Sequence, residues 1–221
     1  MKNQNKKEID KMKKLTCFAL ALLMALSLTA CGGNKDQNDN VTTPAATTDT
    51  TTETPATTED PSASLPTDTL DLLNTVWGSY ADDEKFAVSG GDSENMVMDA
   101  PGKIVLENIE KGTLDWLFCF PEDYTDKIDG AASLMHMMNA NTFTCGAFHV
   151  KKAEDITGLA AALRDNMQAR QWMCGFPDKL VVIQLDQYVI SMFGKTPVDT
   201  FRDKLLSAYP DAVILHEEAI Q

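Results

Sequence analysis

The sequence predicts an α+β fold: an antiparallel sheet built from hairpins with helices packed against it, preceded by a disordered stalk. Three observations predict it. Apolar residues recur at helical spacing in separate segments, and two pairs of β-prone runs are divided by short turns. The order strand-strand-helix-strand-strand-helix-strand is that of an antiparallel sheet with helices against it. Composition also changes sharply near residue 67, dividing the chain into 1–30, 31–66 and 67–221. The last part, of about 155 residues, is long enough to bury roughly two-thirds of its surface without disulfides.

The elements follow in order. Thr67 and Asp68 are N-cap residues for a helix through Leu70, Leu73, Val76 and Trp77. Residues 82–102 read as loop, with a short strand at Phe86-Ala87-Val88. Glu107 to Cys119 reads as a helix weakened by Gly112 and stopped by Pro121. Strands at Ser133–Met138 and Thr142–Val150 form a hairpin around Asn139-Ala140-Asn141. Asp155 to Trp172 is the clearest helix, with Ile156, Leu159, Ala160, Leu163 and Met167 on one stripe. After the break at Gly175-Phe176-Pro177, Leu180–Leu185 and Tyr188–Phe193 form a second hairpin turning at Asp186-Gln187. Thr196 caps a last helix with Pro197 at its first position, and Ala212–Leu215 closes the domain as a strand.

The first thirty residues differ from all of this. Lys11-Met12-Lys13-Lys14 is a basic start before the apolar run Leu15–Leu28, which is shorter than the roughly 20 residues a membrane span requires. Met12 is as good a start as Met1 for such a leader. The run ends in Leu28-Thr29-Ala30-Cys31, followed by Gly32-Gly33. These residues resemble the lipobox of bacterial lipoproteins. The resemblance implies cleavage after Ala30, a diacylated Cys31, and a chain held by membrane lipid on the extracytoplasmic face of the cell membrane. Two or three acyl chains anchor stably where one is marginal. Residues 32–66 are rich in Thr, Pro and acids, with Val41 and Leu65 the only large aliphatics. Such a stretch cannot offset its ordering entropy and would span about 30 Å as a coil or about 110 Å extended.

The whole chain has 33 acidic and 19 basic residues. The leader holds six of the lysines and only two acids, so the remainder carries −18 against −14 for the whole. That charge repels phosphate backbones and excludes nucleic acid as a natural partner. Of five cysteines, Cys17 lies in the leader and Cys31 at its end, leaving Cys119, Cys145 and Cys174. Three thiols allow at most one internal disulfide, Cys145 and Cys174 being the pair if one forms; the expected role is structural, as small buried hydrophobes, and their spacings match no zinc or redox pattern.

No cofactor site or catalytic constellation is legible. Met135-His136-Met137-Met138, with Met96, Met98, His149 and Cys145 elsewhere, has the soft donors that select copper(I). Alternation along a strand would turn His136 and Met138 away from Met135 and Met137, so core packing is the expected role. Cys145 and His149 share a strand face but lie about 13 Å apart, too far for a thiolate–imidazole pair. The acidic runs Asp82-Asp83-Glu84, Asp92-Ser93-Glu94 and Glu122-Asp123-x-x-Asp126 lack a calcium-loop pattern and read as solvated surface. Gly-x-Ser-x-Gly and phosphate-loop signatures are absent.

The stretch Met138-Asn139, Thr144-Cys145-Gly146-Ala147-Phe148-His149-Val150, the helix after it, Phe176-Pro177 and Gln187-Tyr188-Val189 resembles a family of Gram-positive lipoproteins, domain of unknown function 4358. The resemblance covers about the last hundred residues. Some similar chains are labelled bacteriocin transport accessory protein. It implies no activity and no catalytic residues. The expected function is therefore a membrane-anchored, non-catalytic binding or adaptor domain whose partner is an envelope protein or wall component. The alternative is an extracytoplasmic enzyme or metal-handling protein with a site built from His136, His149 and Cys145.

Overall fold

A computed structural model describes residues 64–107, 109–173 and 175–221. The leader over 1–30, Cys31 and the linker as far as residue 63 lie outside the described residues, as do Asn108 and Cys174.

Asp68 starts the first helix, α1 (Thr69–Gly78), its carboxylate accepting from the backbone N–H of Asp71 at 2.8 Å. This cap is the one expected from sequence, and it aims Leu72, Leu73, Val76 and Trp77 at the core. Just before it, Pro66 is buried and its carbonyl accepts from the Tyr188 hydroxyl at 3.1 Å.

Eight strands form one sheet: β1 (Val88–Gly90), β2 (Val97–Met98), β3 (Gly102–Ile104), β4 (Ile128–His136), β5 (Phe143–Val150), β6 (Lys179–Leu185), β7 (Tyr188–Gly194) and β8 (Val213–Ala219). Their order is β2-β1-β4-β5-β7-β6-β8, with β3 also on β4, and every pairing is antiparallel. The other helices are α2 (Thr113–Phe118), α3 (Ile156–Ala169) and α4 (Thr196–Ala208). Both expected hairpins form, β4–β5 and β6–β7. The second turns through Asp186, which takes the left-handed conformation (φ 49°) that a tight two-residue turn needs.

Alternate residues of the sheet feed two cores. Leu134, Cys145, Val181, Ile183, Ile190 and Met192 pack with α1 and α4. Ala131, Phe148, Leu180, Val182, Val189 and Phe193 pack with α2 and α3. Helices cover both faces, so the central strands read as continuous apolar runs such as Leu180-Val181-Val182-Ile183.

Several boundaries differ from expectation. The helix expected over Glu107–Cys119 contracts to α2, because Gly112 takes φ 87° and precedes the first helical residue. Strand β4 begins at Ile128, five residues before Ser133. Ala131 and Ala132 have little intrinsic strand preference, and burial between helices places them there. Strand β1 falls two residues later than Phe86–Val88. The short strands β2 and β3 carry too few residues for an alternating pattern. Helix α3 stops at Ala169, where Arg170 turns extended (φ −68°, ψ 135°), not at Trp172. Lys195, not Thr196, occupies the cap position of α4. Strand β8 runs four residues beyond Leu215, carrying Glu217 and Glu218 onto Arg202 and Arg164. Arg164 grips Glu218 with two bonds of 2.6 and 2.9 Å. In β8 the pairing skips a residue between Val182↔His216 and Ile183↔Ile214, leaving Leu215 as a bulge.

Strands β1 and β3 reach the same edge of β4 because their backbones cross at two glycines. A methyl group on Gly90 would lie 2.0 Å from the Gly102 nitrogen, and one on Gly102 would lie 2.3 Å from the Gly91 nitrogen. In the same loop Asp92 is held by N–H groups. Partial burial acts to raise its carboxyl pKa, but the N–H groups of Asn95, Val105 and Glu94 outweigh it, so the pKa lies below the ordinary value.

Gly102→Ala is expected to lose about 2 to 3 kcal/mol, measured by the urea midpoint, because backbone and not a movable side chain blocks the methyl group. Gly78→Ala, at a helix end with nothing within 4 Å of the new carbon, should be neutral or slightly stabilising. Equal midpoints for the two variants would refute the crossing.

Candidate functional site

One cross-strand row organises the exposed end of the sheet. Met98, Ser89, Met135, Thr144, Phe193 and Leu180 are successive partners across β2, β1, β4, β5, β7 and β6. Directly opposed residues share a face, and Phe193 and Leu180 place this row on the side of α2 and α3. Helix α2 spans only six residues and α3 has ended at Ala169, so neither covers the Met135–Phe193 part of the row. The result is a groove of about 390 Å³ between Trp116 and Leu117 of α2, the segment Arg170–Met173, and the end of β4.

Two residues fix its walls. Arg170 donates to the carbonyls of Asp115 and Trp116, both at 2.8 Å, and to the Cys119 Sγ at 3.0 Å. It thereby satisfies carbonyls in the short helix α2 while lying over the Trp172 ring at 5.6 Å. On the opposite side Asn141 donates to the carbonyls of Met173 and Gly175 at 2.9 and 2.8 Å, tying the β4–β5 connection to the segment after α3. The Trp172 indole N–H is enclosed here without a hydrogen-bond partner, an arrangement that costs about 1–3 kcal/mol.

The lining is methionine and aromatic: Met135, Met137, Met138, Met173, Trp116, Trp172 and Phe193, with Leu117 the only large aliphatic. Met138 and Met173 are each 79% exposed and Trp116 71%. This overturns the expectation of core packing for Met96, Met98, Met137 and Met138, which are exposed, while Met135 is half-buried against the second core; Met167 and Met192 are buried and Met173 is exposed. Alternation fails for the run at 135–138 because β4 ends at His136, and Met137 and Met138 follow in a bend. Trp116, Arg170 and Trp172 carry no signal in sequence that would select them. The methionines at 96, 98, 135, 137 and 138 were visible, but only the fold brings Met173 to one cavity with Met135, Met137 and Met138.

His136, His149 and Cys145 do not assemble into a site. The His136 Nδ1 accepts from the N–H groups of Met138 and Asn139 at 3.2 and 3.3 Å, and its ring stacks on Phe86. His149 pairs with Asp129 at 2.5 Å and lies against Tyr188. Cys145 is wholly enclosed in the α1/α4 core, where burial pushes its thiol far above the ordinary value. Neither histidine is hydrogen-bonded to it. Burial also raises the Cys119 thiol, with Arg170 partly offsetting the effect. Both cysteines are buried free thiols, as expected of structural cysteines, and Cys174 is not among the described residues.

Among the described residues no group of three or more His, Cys, Asp or Glu side chains is placed to hold a metal ion, and no helix is long and apolar enough to cross a membrane. The acidic runs make local contacts: Glu84 with Lys204 at 2.8 Å, Glu122 with Lys111 at 3.4 Å, and Asp92 with its own loop. Comparison with protein-family models, with curated proteins and with solved structures returns no match.

Cys119 and Cys145 should resist an aqueous thiol reagent in the native protein and react fully in denaturant. Cys145→Ser should cost about 1–3 kcal/mol by placing a hydroxyl in an apolar core. Rapid native labelling of either thiol, read by mass spectrometry, would refute their enclosure.

Proposed function

We propose that the protein is a lipid-anchored extracytoplasmic binding protein, related to the lipoproteins of domain of unknown function 4358. In this reading Cys31 holds membrane lipid, the linker up to the buried Pro66 is the tether, and the groove between α2 and the segment after α3 docks an apolar segment of an envelope protein. The observation that carries the docking part is the exposed methionine and tryptophan lining. Monomeric proteins rarely leave such side chains together in water without a partner for them, and flexible thioethers adapt to varied apolar shapes. The anchoring part rests on the basic start, the apolar run and Leu28-Thr29-Ala30-Cys31.

Each part has its own test. Cys31→Ser should move the protein out of the membrane fraction or leave it unprocessed, and an N-terminal peptide beginning anywhere but an acylated Cys31 would overturn the anchor. A photoreactive side chain at Trp116 or Met138 should give a discrete adduct in intact cells, while one at exposed Asp211 should not. Trp116→Glu should cut the Met138 adduct at least about tenfold. Indistinguishable adduct patterns from the groove and from Asp211 would overturn the docking surface.

A further inference from the structure

We propose that the groove is also a thioether site for a soft monovalent cation, copper(I), with silver(I) as its redox-inert counterpart. The inference rests on the groove being a ligand surface, but on neither the lipid anchor nor a polypeptide partner.

The donor set carries it. Met135, Met137, Met138 and Met173 line a single cavity, and three of them are exposed, with the flexible unbranched side chain that lets a thioether reorient. They come from two segments, the end of β4 with its following bend and the stretch after α3, which Asn141 holds together. None of the fifteen lining residues is Asp, Glu or Cys. Hard cations, whose sites are built around carboxylates, therefore have none here, whereas thioethers select copper(I).

His136 narrows the chemistry further. Its Nδ1 lone pair is committed to the N–H groups of Met138 and Asn139, so the neutral ring carries its proton on Nε2 and offers no second lone pair. It positions the bend that presents Met137 and Met138 and does not itself bind the metal. With no carboxylate, thiolate or free imidazole in the lining, the thioethers are the soft donors that remain, which disfavours copper(II) and zinc relative to copper(I). Trp116 and Trp172 add aromatic faces to which a cation is attracted. Arg170 is the single charged residue in the lining, and its guanidinium is spent on the Asp115 and Trp116 carbonyls and the Cys119 sulfur. The net charge of −14 favours a cation over the whole surface.

Met→Leu substitution separates this site from simple docking, since it keeps apolar volume and removes the sulfur. The full chain in detergent, with Cys17→Ser, Cys31→Ser and Cys174→Ser so that only the buried thiols Cys119 and Cys145 remain, is titrated anaerobically with silver(I) and with copper(I) buffered by a chelator, following tryptophan fluorescence. Saturable quenching is expected with both ions and none with zinc. Met138→Leu or Met173→Leu should each weaken the response several-fold, and Met135→Leu/Met137→Leu/Met138→Leu/Met173→Leu at least about a hundredfold. The single variants replace exposed side chains, so their folding is not at risk, and circular dichroism checks the quadruple one. An unchanged midpoint in the single and quadruple leucine variants, or no saturable response in the parent, overturns the site. The photoadduct at Trp116 serves as the second readout. Its persistence in a leucine variant that no longer binds metal supports two separable uses of the groove. Its absence in a parent that binds metal overturns the docking reading and leaves the metal site standing.

Discussion

The sheet is apolar on both faces, and the rest of the structure depends on covering it. Strands β5 and β7 lie at its centre, and their inward and outward residues alike are buried. Such a sheet is stable only as the middle of three layers. Helices α1 and α4 supply one cover through Leu72, Val76, Val198 and Phe201. On the other face α3 contributes Leu159, Leu163 and Met167, and the six residues of α2 contribute Leu114, Phe118 and the half-buried Leu117. The helices cover most of β5 and β7 and stop short of the row from Met135 to Phe193. The groove is what remains uncovered, so its position follows from helix lengths.

Where residues report their own surroundings, the fold was legible. Helix α3 declares itself by a five-residue apolar stripe, and the β6–β7 hairpin by two β-rich runs around Asp186-Gln187. The cap at Asp68 was equally plain, since a carboxylate before an apolar stripe has one obvious donor to meet. Legibility fails where the decisive partner is distant in sequence. Nothing near Ala131 says that β3, β5 and the second core will make it a strand residue. Gly90 and Gly102 look like loop residues, and only their mutual contact explains why β1 and β3 share an edge of β4.

The candidate site was legible in its chemistry and hidden in its geometry. A cluster of methionines around His136 is visible to any reader of the chain, yet strand alternation assigned it to the core. That inference needed the strand to continue through Met138. His136 ends it instead, because its Nδ1 gathers the N–H groups of Met138 and Asn139 into a bend. Trp116, Arg170 and Trp172 sit in unremarkable local sequence, and a cation stacked between one helix and the segment after another becomes meaningful only in the folded chain. Cys145 shows the converse: a residue that looked chemically promising is sealed by Leu134, Met192 and their neighbours.

The two ends of the sheet bear on how many copies could share one small area. A long, flat, uncharged border strand invites a neighbour to add its own strand, and the addition can repeat without limit. Here one border, β2, has only two residues. The other, β8, is kinked at Leu215 and studded with Glu217 and Glu218, each already clasped by an arginine. Neither border is a good template, so crowding many copies together would raise collision frequency without opening a route to ribbon-like polymers.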